Sequence, residues 1–209
     1  MEEKLVLTPE QLYFLGTVMD AENINYDYIA AMGEVQRNYS RAHRKNMDDL
    51  ARAGLLRMRL GGEAVLRPAV EKLLHPVFFG RKESSLEIFR LGKEKIHDIF
   101  RFHWSQSAVT QVQQTKDRLI LNACGPEQLE ALVAEQVRGT ERPMRLDQLF
   151  EENVTRILAA KRATVGEGST GVVLFEVFGG LYSMDENEKL HAVPASQARA
   201  MILAELKGE

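Results

Sequence analysis

The chain has one cysteine, one tryptophan and six prolines in 209 residues. A lone cysteine, Cys124, cannot form an intrachain disulfide, so the fold has to be held by its core, and nothing in the thiol count points to an oxidising compartment. No run approaches the roughly 18 uninterrupted apolar residues that a membrane-spanning helix needs. An excess of one charge is missing as well. The 27 Lys and Arg stand against 30 Asp and Glu, and the net charge of −3 favours neither nucleic acid nor a membrane surface as a bulk partner. The opening Met1-Glu2-Glu3-Lys4 is acidic and unlike a secretory signal. The expectation is a cytoplasmic protein without membrane insertion. What remains is ordinary for a globular chain, 44% hydrophobic and 27% charged, and long enough to bury a sizeable core unaided.

Catalytic and ligand motifs are equally scarce. Gly166-Glu167-Gly168-Ser169-Thr170-Gly171 lacks the Gly-Lys-Ser/Thr ending of a phosphate loop and precedes a strand instead of following one. The five histidines, His43, His75, His97, His103 and His191, have no compact zinc-site spacing, and a single cysteine provides no thiolate pair. His97 and His103 lie six apart on a predicted strand, about 20 Å at the usual rise, so they cannot share a metal. They read as surface or edge residues. There is no Gly-x-Ser-x-Gly elbow. Asp48-Asp49 and Glu151-Glu152 are adjacent carboxylates that point apart on a helix. The expectation is no enzyme, no metal and no cofactor.

The secondary-structure signals give an α+β fold. Thr8-Pro9-Glu10-Gln11 matches a capping box with proline at the first helical position, and Leu12, Leu15, Val18 and Met19 share a face. A short helix is expected around Tyr26–Met32 and a longer one over about 38–53, with Gly54 as its left-handed cap. Two short extended runs around Gly61-Gly62 read as a hairpin, and Pro68 opens another helix. From about Ser84 the pattern becomes an antiparallel meander: 86–91, 95–104, 108–115 and 118–123, joined by links too short for parallel crossovers. A helix over 126–138 follows, then a linker at Gly139–Pro143. The stripe Leu146, Leu149, Phe150, Val154, Ile157 and Leu158 predicts a helix over 146–161. Beyond it lie a Gly-rich connection at 165–171, strands at 172–178 and 181–184, and a closing helix over 194–206. Strands followed by a helix at 84–138 and again at 172–206 form a weak quasi-two-fold echo. The expected organisation is a winged-helix-like helical subdomain at 1–80 and an antiparallel sheet with helices at 81–209.

Two surfaces stand out. Residues 37–59 carry a net charge of +5, from Arg37, Arg41, Arg44, Lys45, Arg52, Arg57 and Arg59 against two aspartates, whereas residues 1–34 carry −6. A basic third helix beside a basic hairpin is what DNA phosphates attract; packing of the acidic segment on the basic one is the plainer reading. The DNA alternative rests on Arg41, Arg44, Lys45, Arg57 and Arg59. The second surface is the aromatic end of a hairpin, Phe102, Trp104, Ser105, Gln106 and Ser107. Aromatics dominate interface anchors, although Phe100 and Phe102 can equally lie under helices. A homodimer is also open.

The run Leu5-Val6-Leu7-Thr8-Pro9-Glu10-Gln11-Leu12, the run Asp48-Asp49-Leu50-Ala51-Arg52-Ala53-Gly54-Leu55-Leu56, and the meander leading into the Glu127–Val137 helix resemble the EspG family over residues 5–137. EspG proteins are specificity chaperones of type VII secretion. The resemblance implies a shortened, Gram-positive bacterial relative with an antiparallel sheet and helical bundles in a quasi-two-fold arrangement. It further implies binding of helical secretion substrates in the cytosol, with an aggregation-prone tip shielded. The family's use of a central hairpin loop draws attention to 104–107.

Overall fold

A short helix start organises the N-terminus of the chain. The Thr8 hydroxyl accepts from the Gln11 N–H at 3.2 Å, and the Thr8 N–H donates to Gln11 Oε1 at 2.9 Å, forming the expected capping box of helix α1 (Pro9–Val18). The computed structural model describes residues 4–22, 24, 28, 39–92, 96–115, 117–146 and 148–208, with backbone alone at 39–42. The turn expected at Asn23 and Asn25, and most of the helix expected at 26–32, lie outside them. The chain packs as two compact units, Met1–Arg81 with His103–Ala123, and Lys82–Phe102 with Cys124–Glu209.

In the first unit α1 is followed by α2 (Tyr39–Arg52), strands β2 (Leu56–Met58) and β3 (Ala64–Leu66), and α3 (Pro68–Phe79). Gly54 takes φ +67, the left-handed cap that ends α2. The β2–β3 hairpin follows at Gly61 and Gly62, both at positive φ. β1 (Lys4–Leu7) pairs antiparallel with β7 (Leu119–Ala123), which pairs with β6 (Val109–Gln114). β1 is an element the sequence pattern does not declare, since only Leu5 and Leu7 of its four residues turn inward. Leu7, Leu12, Leu15, Leu74, Leu119 and Leu121 are buried together in this unit's core.

The second unit contains β4 (Lys82–Arg90), most of β5 (Ile96–Trp104), α4 (Pro126–Gln136), β8 (Val154–Thr164), β9 (Gly168–Val177), β10 (Gly180–Met184), β11 (Leu190–Val193) and α5 (Ala195–Lys207). Its strands lie in the order β5-β4-β8-β9-β10-β11. The β4–β8 and β8–β9 ladders are antiparallel and run nearly their full lengths, Lys82↔Thr164 to Arg90↔Arg156 and Val154↔Val177 to Thr164↔Gly168. α5 packs over β4, β8 and β9. Its Ala198, Ile202 and Leu206 are buried, as are Leu86, Ile88, Leu158 and Leu174 of the strands.

The fold is α+β with a large antiparallel sheet, as expected. The meander strands sit where the turns placed them. The helix predicted over 146–161 is wrong: Glu151–Asn153 form a single 3-10 turn, and Val154–Thr164 form β8 in the middle of the ladder. Leu158 and Ala160 face one packed layer while Ala159 is buried on the other side, so this strand is apolar on both faces. A central strand of this kind gives the same apolar count as a helical stripe. The Gly-rich connection at 165–171 is correspondingly shorter than expected, because β9 already begins at Gly168.

Candidate partner-binding surfaces

The end of β5 turns into β6 through Ser105–Ala108. The Ser105 N–H donates to the Ala108 carbonyl at 2.9 Å, and the Ser105 hydroxyl accepts from the Ala108 N–H at 3.2 Å. The Thr110 hydroxyl donates to the Leu73 carbonyl at 2.7 Å, fixing the hairpin to α3. Gly80, just past α3, is required at its place: a Cβ there would lie 2.2 Å from the Pro76 carbonyl oxygen and 2.7 Å from that of Trp104. These constraints hold the hairpin end beside α3 and leave an open cleft of about 270 Å³. Glu71, Lys72 and His75 line it from α3, and Ser105 and Ser107 from the hairpin.

The predicted partner residues therefore separate. Phe102 is fully buried in the second unit and cannot touch a partner. Trp104 and Ser105 are half-buried, and Gln106 and Ser107 are exposed. His103 corrects the expectation of a surface histidine: it is 4% exposed, and its Nε2 lies 2.5 Å from the Tyr28 hydroxyl. His97 is a surface residue as expected, stacked on Phe89 at 3.9 Å between ring centroids and bonded to Glu87. Burial of Glu87 works against its charge, but the Lys161 ammonium and then His97 hold its carboxyl below the ordinary value.

On the basic surface Arg44, Lys45, Arg57 and Arg59 are all exposed; the Arg41 side chain lies outside the described atoms. Arg52 pairs with Asp49 at 3.1 Å, within the count of +5, and Arg59 pairs with Glu63 at 3.4 Å, which offsets one more cation. Leu60, between β2 and β3, is fully exposed. Among the described residues no three His, Cys, Asp or Glu side chains gather as a metal-ligand cluster. No described helix is long and apolar enough to cross a membrane.

A third surface lies in the second unit and escapes the sequence patterns. After α4 the chain crosses as an irregular strap pinned at successive points. Arg156 donates to the carbonyls of Gln136 at 2.8 Å and Arg138 at 3.2 Å. The Thr140 N–H reaches the Gly179 carbonyl at 3.0 Å, and the Tyr182 hydroxyl the Met144 carbonyl at 2.8 Å. Ser196 donates to Glu141 through its hydroxyl and its N–H, and these two bonds hold that carboxyl below its ordinary value. Leu146 and Leu149 of the strap pack against Val154, Val177 and Tyr182. Between strap and β9–β10 turn lies a cleft of about 650 Å³, with Phe150 at its edge 54% exposed and Phe178 66% exposed. A helix over 146–161 would have put Phe150 in a buried stripe, which hid this surface. The signal that could have located it is Phe178-Gly179-Gly180, an aromatic at the start of a tight turn.

No family model and no curated protein matches the chain. Among solved structures it resembles that of the Mycobacterium tuberculosis type VII secretion system chaperone EspG5 in complex with the PE25-PPE41 dimer. The likeness has a TM-score of 0.60 and covers 98% of this chain and 95% of that chain, at 7% identity. At that identity it is a likeness of fold, and the fold of this chain is EspG-like.

Proposed function

We propose that this protein is a cytoplasmic, chaperone-like binding protein for a helical partner of the kind exported by type VII secretion. On this reading it shields an apolar helical tip until export. The observation that supports the proposal is the likeness of fold, over nearly the whole chain, to a chaperone whose structure holds its protein partners. The hairpin end supplies a contact surface: a half-buried indole at Trp104, hydroxyls at Ser105 and Ser107, the Gln106 amide, and the cleft against α3. Retention of protein from nuclease-treated native cytosol by tagged wild type, Trp104→Ala and Ser105→Arg tests this. Loss of a near-stoichiometric partner by about tenfold or more in both variants is the expected result for an interface anchor. Unchanged retention by both removes this surface.

The exposed Arg44, Lys45, Arg57 and Arg59 support a second reading, as a DNA-phosphate surface. It requires affinity for duplex DNA that falls steeply with salt and collapses on Arg44→Glu; salt-independent or absent retention removes it.

A further inference from the structure

We propose that the outer edge of β9 is a docking site for an extended segment of a partner protein, which joins the sheet as an added strand. The inference goes beyond the hairpin reading and stands on the second unit alone. β9 pairs with β8 from Gly168 to Val177, but β10 covers only Phe175, Glu176 and Val177 on the other side. β10 then leaves: its Ser183 and Met184 go on pairing with β11 and not with β9. Gly168–Val173 therefore border the sheet beyond β10, over about 20 Å at the usual rise. Gly168, Ser169, Thr170 and Gly171 are exposed, Val172 is half-buried and Val173 is 45% exposed.

The β9–β10 turn fixes which backbone groups are free. Phe178 and Gly179 hold φ 51 and 76, the two positive values of a type I′ turn, so Val177 and Gly180 on either side of it form a hydrogen-bonded pair. Alternate residues of an antiparallel strand turn their N–H and C=O to opposite sides. Counting by two from Val177, Val173, Gly171 and Ser169 turn theirs away from β8, while Thr170 and Val172 direct theirs to it. Among the described residues no backbone bond from outside the ladder reaches Gly168–Val173. Natural edges of this length are blunted by charge, proline or a bulge. Gly168-Ser169-Thr170-Gly171-Val172-Val173 carries no charge and no proline, and its register with β8 is unbroken.

The occupant follows from these groups. Ser169, Gly171 and Val173 each offer an N–H and a C=O at every second residue, and extended backbone is what completes such a row. A helix bonds its own backbone internally and has none to give. The side chains set the rest. The edge itself is neutral, and Lys161 and Arg162 of β8 are paired with Glu87 at 2.9 Å and Glu205 at 3.7 Å, so no charge is called for. Val172 and Val173 favour β-branched neighbours across the strands. The matching segment is uncharged and rich in valine, isoleucine or threonine. α5 lies over one face of β9, where the Thr170 hydroxyl donates to Glu205, and leaves the edge exposed. A second copy pairing edge to edge over ~20 Å by ~10 Å would bury only about 400 Å² over both partners, against about 1,200 Å² for a stable dimer.

Amide hydrogen exchange of the full-length, 15N-labelled protein tests this, with the capped synthetic peptide Lys-Thr-Val-Thr-Val-Thr-Val-Lys as probe. In the free chain the amides of Ser169, Gly171 and Val173 should exchange about tenfold or more faster than those of Thr170 and Val172. The peptide should slow those three by about tenfold or more, and the same peptide with prolines in place of two valines should not. Ser169→Pro and Val173→Pro each remove an outward donor and no bond to β8, so each should weaken peptide binding by about fivefold or more with its circular dichroism kept. Should either variant unfold, the exchange pattern and the proline peptide decide alone. Trp104→Ala should bind the peptide as wild type does, and a leucine-faced helical peptide should leave the three amides unchanged, which separates this proposal from the hairpin reading. Protection of the three amides in the free, dilute chain, no slowing by the peptide, an equal effect of the proline peptide, or wild-type binding by both folded proline variants overturns the proposal. Protection that grows with chain concentration alone would assign the edge to a second copy and overturns it too.

Discussion

Arg156→Met offers a severe test of the second unit. The Arg156 side chain is 14% exposed and reaches three partners: Glu176 at 2.7 Å, the Gln136 carbonyl at 2.8 Å and the Arg138 carbonyl at 3.2 Å. Methionine keeps much of the apolar stem and removes every donor. Hydrogen bonds to charged groups contribute about 1.5–3 kcal/mol each. Water can re-solvate the end of α4 and the 21% exposed Glu176, so the low end of that range applies and the bonds do not sum fully. The expected loss is about 3 kcal/mol, or about 6–12 °C in Tm for a chain of this length. Urea unfolding followed by circular dichroism measures it, with Glu176→Gln and the double variant giving the coupling. In the helix that the apolar stripe predicts, Arg156 would be a solvated polar-face residue worth under about 0.5 kcal/mol. A loss that small, with no coupling to Glu176, would refute both the β8 register and the anchoring of the strap.

Three other outcomes follow from the packing. Phe102→Ala, at a fully buried site, should cost about 3–5 kcal/mol in the same unfolding assay, far more than Trp104→Ala at its half-buried neighbour. Burial pushes the Cys124 thiol up to about 11 from an ordinary 9.0, so its reaction with a thiol reagent at pH 8 should be about a hundredfold slower in the native chain than in urea. Glu87 is held below its ordinary 4.5, so its stabilising charge is fully present above that value and is lost as pH falls through the lower folded value. Glu87→Gln should therefore be less stable than wild type at pH 7, with the difference shrinking below 4.5 and gone once the pH lies below the lowered folded value; a gap that persists at that acid limit would contradict the assigned partners.

Much of the fold was legible because local and tertiary demands agree. Thr8 and Gln11 close their capping box, Gly54 takes the left-handed cap, and the short links of the meander leave its strands only antiparallel neighbours. β8 failed because Val154–Thr164 is rich in Leu, Ala, Lys and Arg, good helix formers that the ladders on both sides override. β1 and β11 are four residues each, too short to show a period, and are fixed by their partners β7 and β10. The hairpin site was half visible. Alternation placed the aromatics along one strand, but it could not say that burial rises toward the end of β5 until both Phe102 and His103 are enclosed. The cleft beside Phe178 depends on the strap passing that turn, which follows from long-range anchors such as Tyr182 to Met144 and not from any local pattern.

The central claim is that the chain works by holding a helical protein partner. Native mass spectrometry of the tagged full-length chain, isolated from nuclease-treated cytosol of its own host, tests it most directly. The account predicts a defined complex with a smaller, helix-rich exported protein, lost in Trp104→Ala. Recovery of the chain alone from the treated cytosol, with nucleic acid retained at low salt once nuclease is omitted, would contradict it.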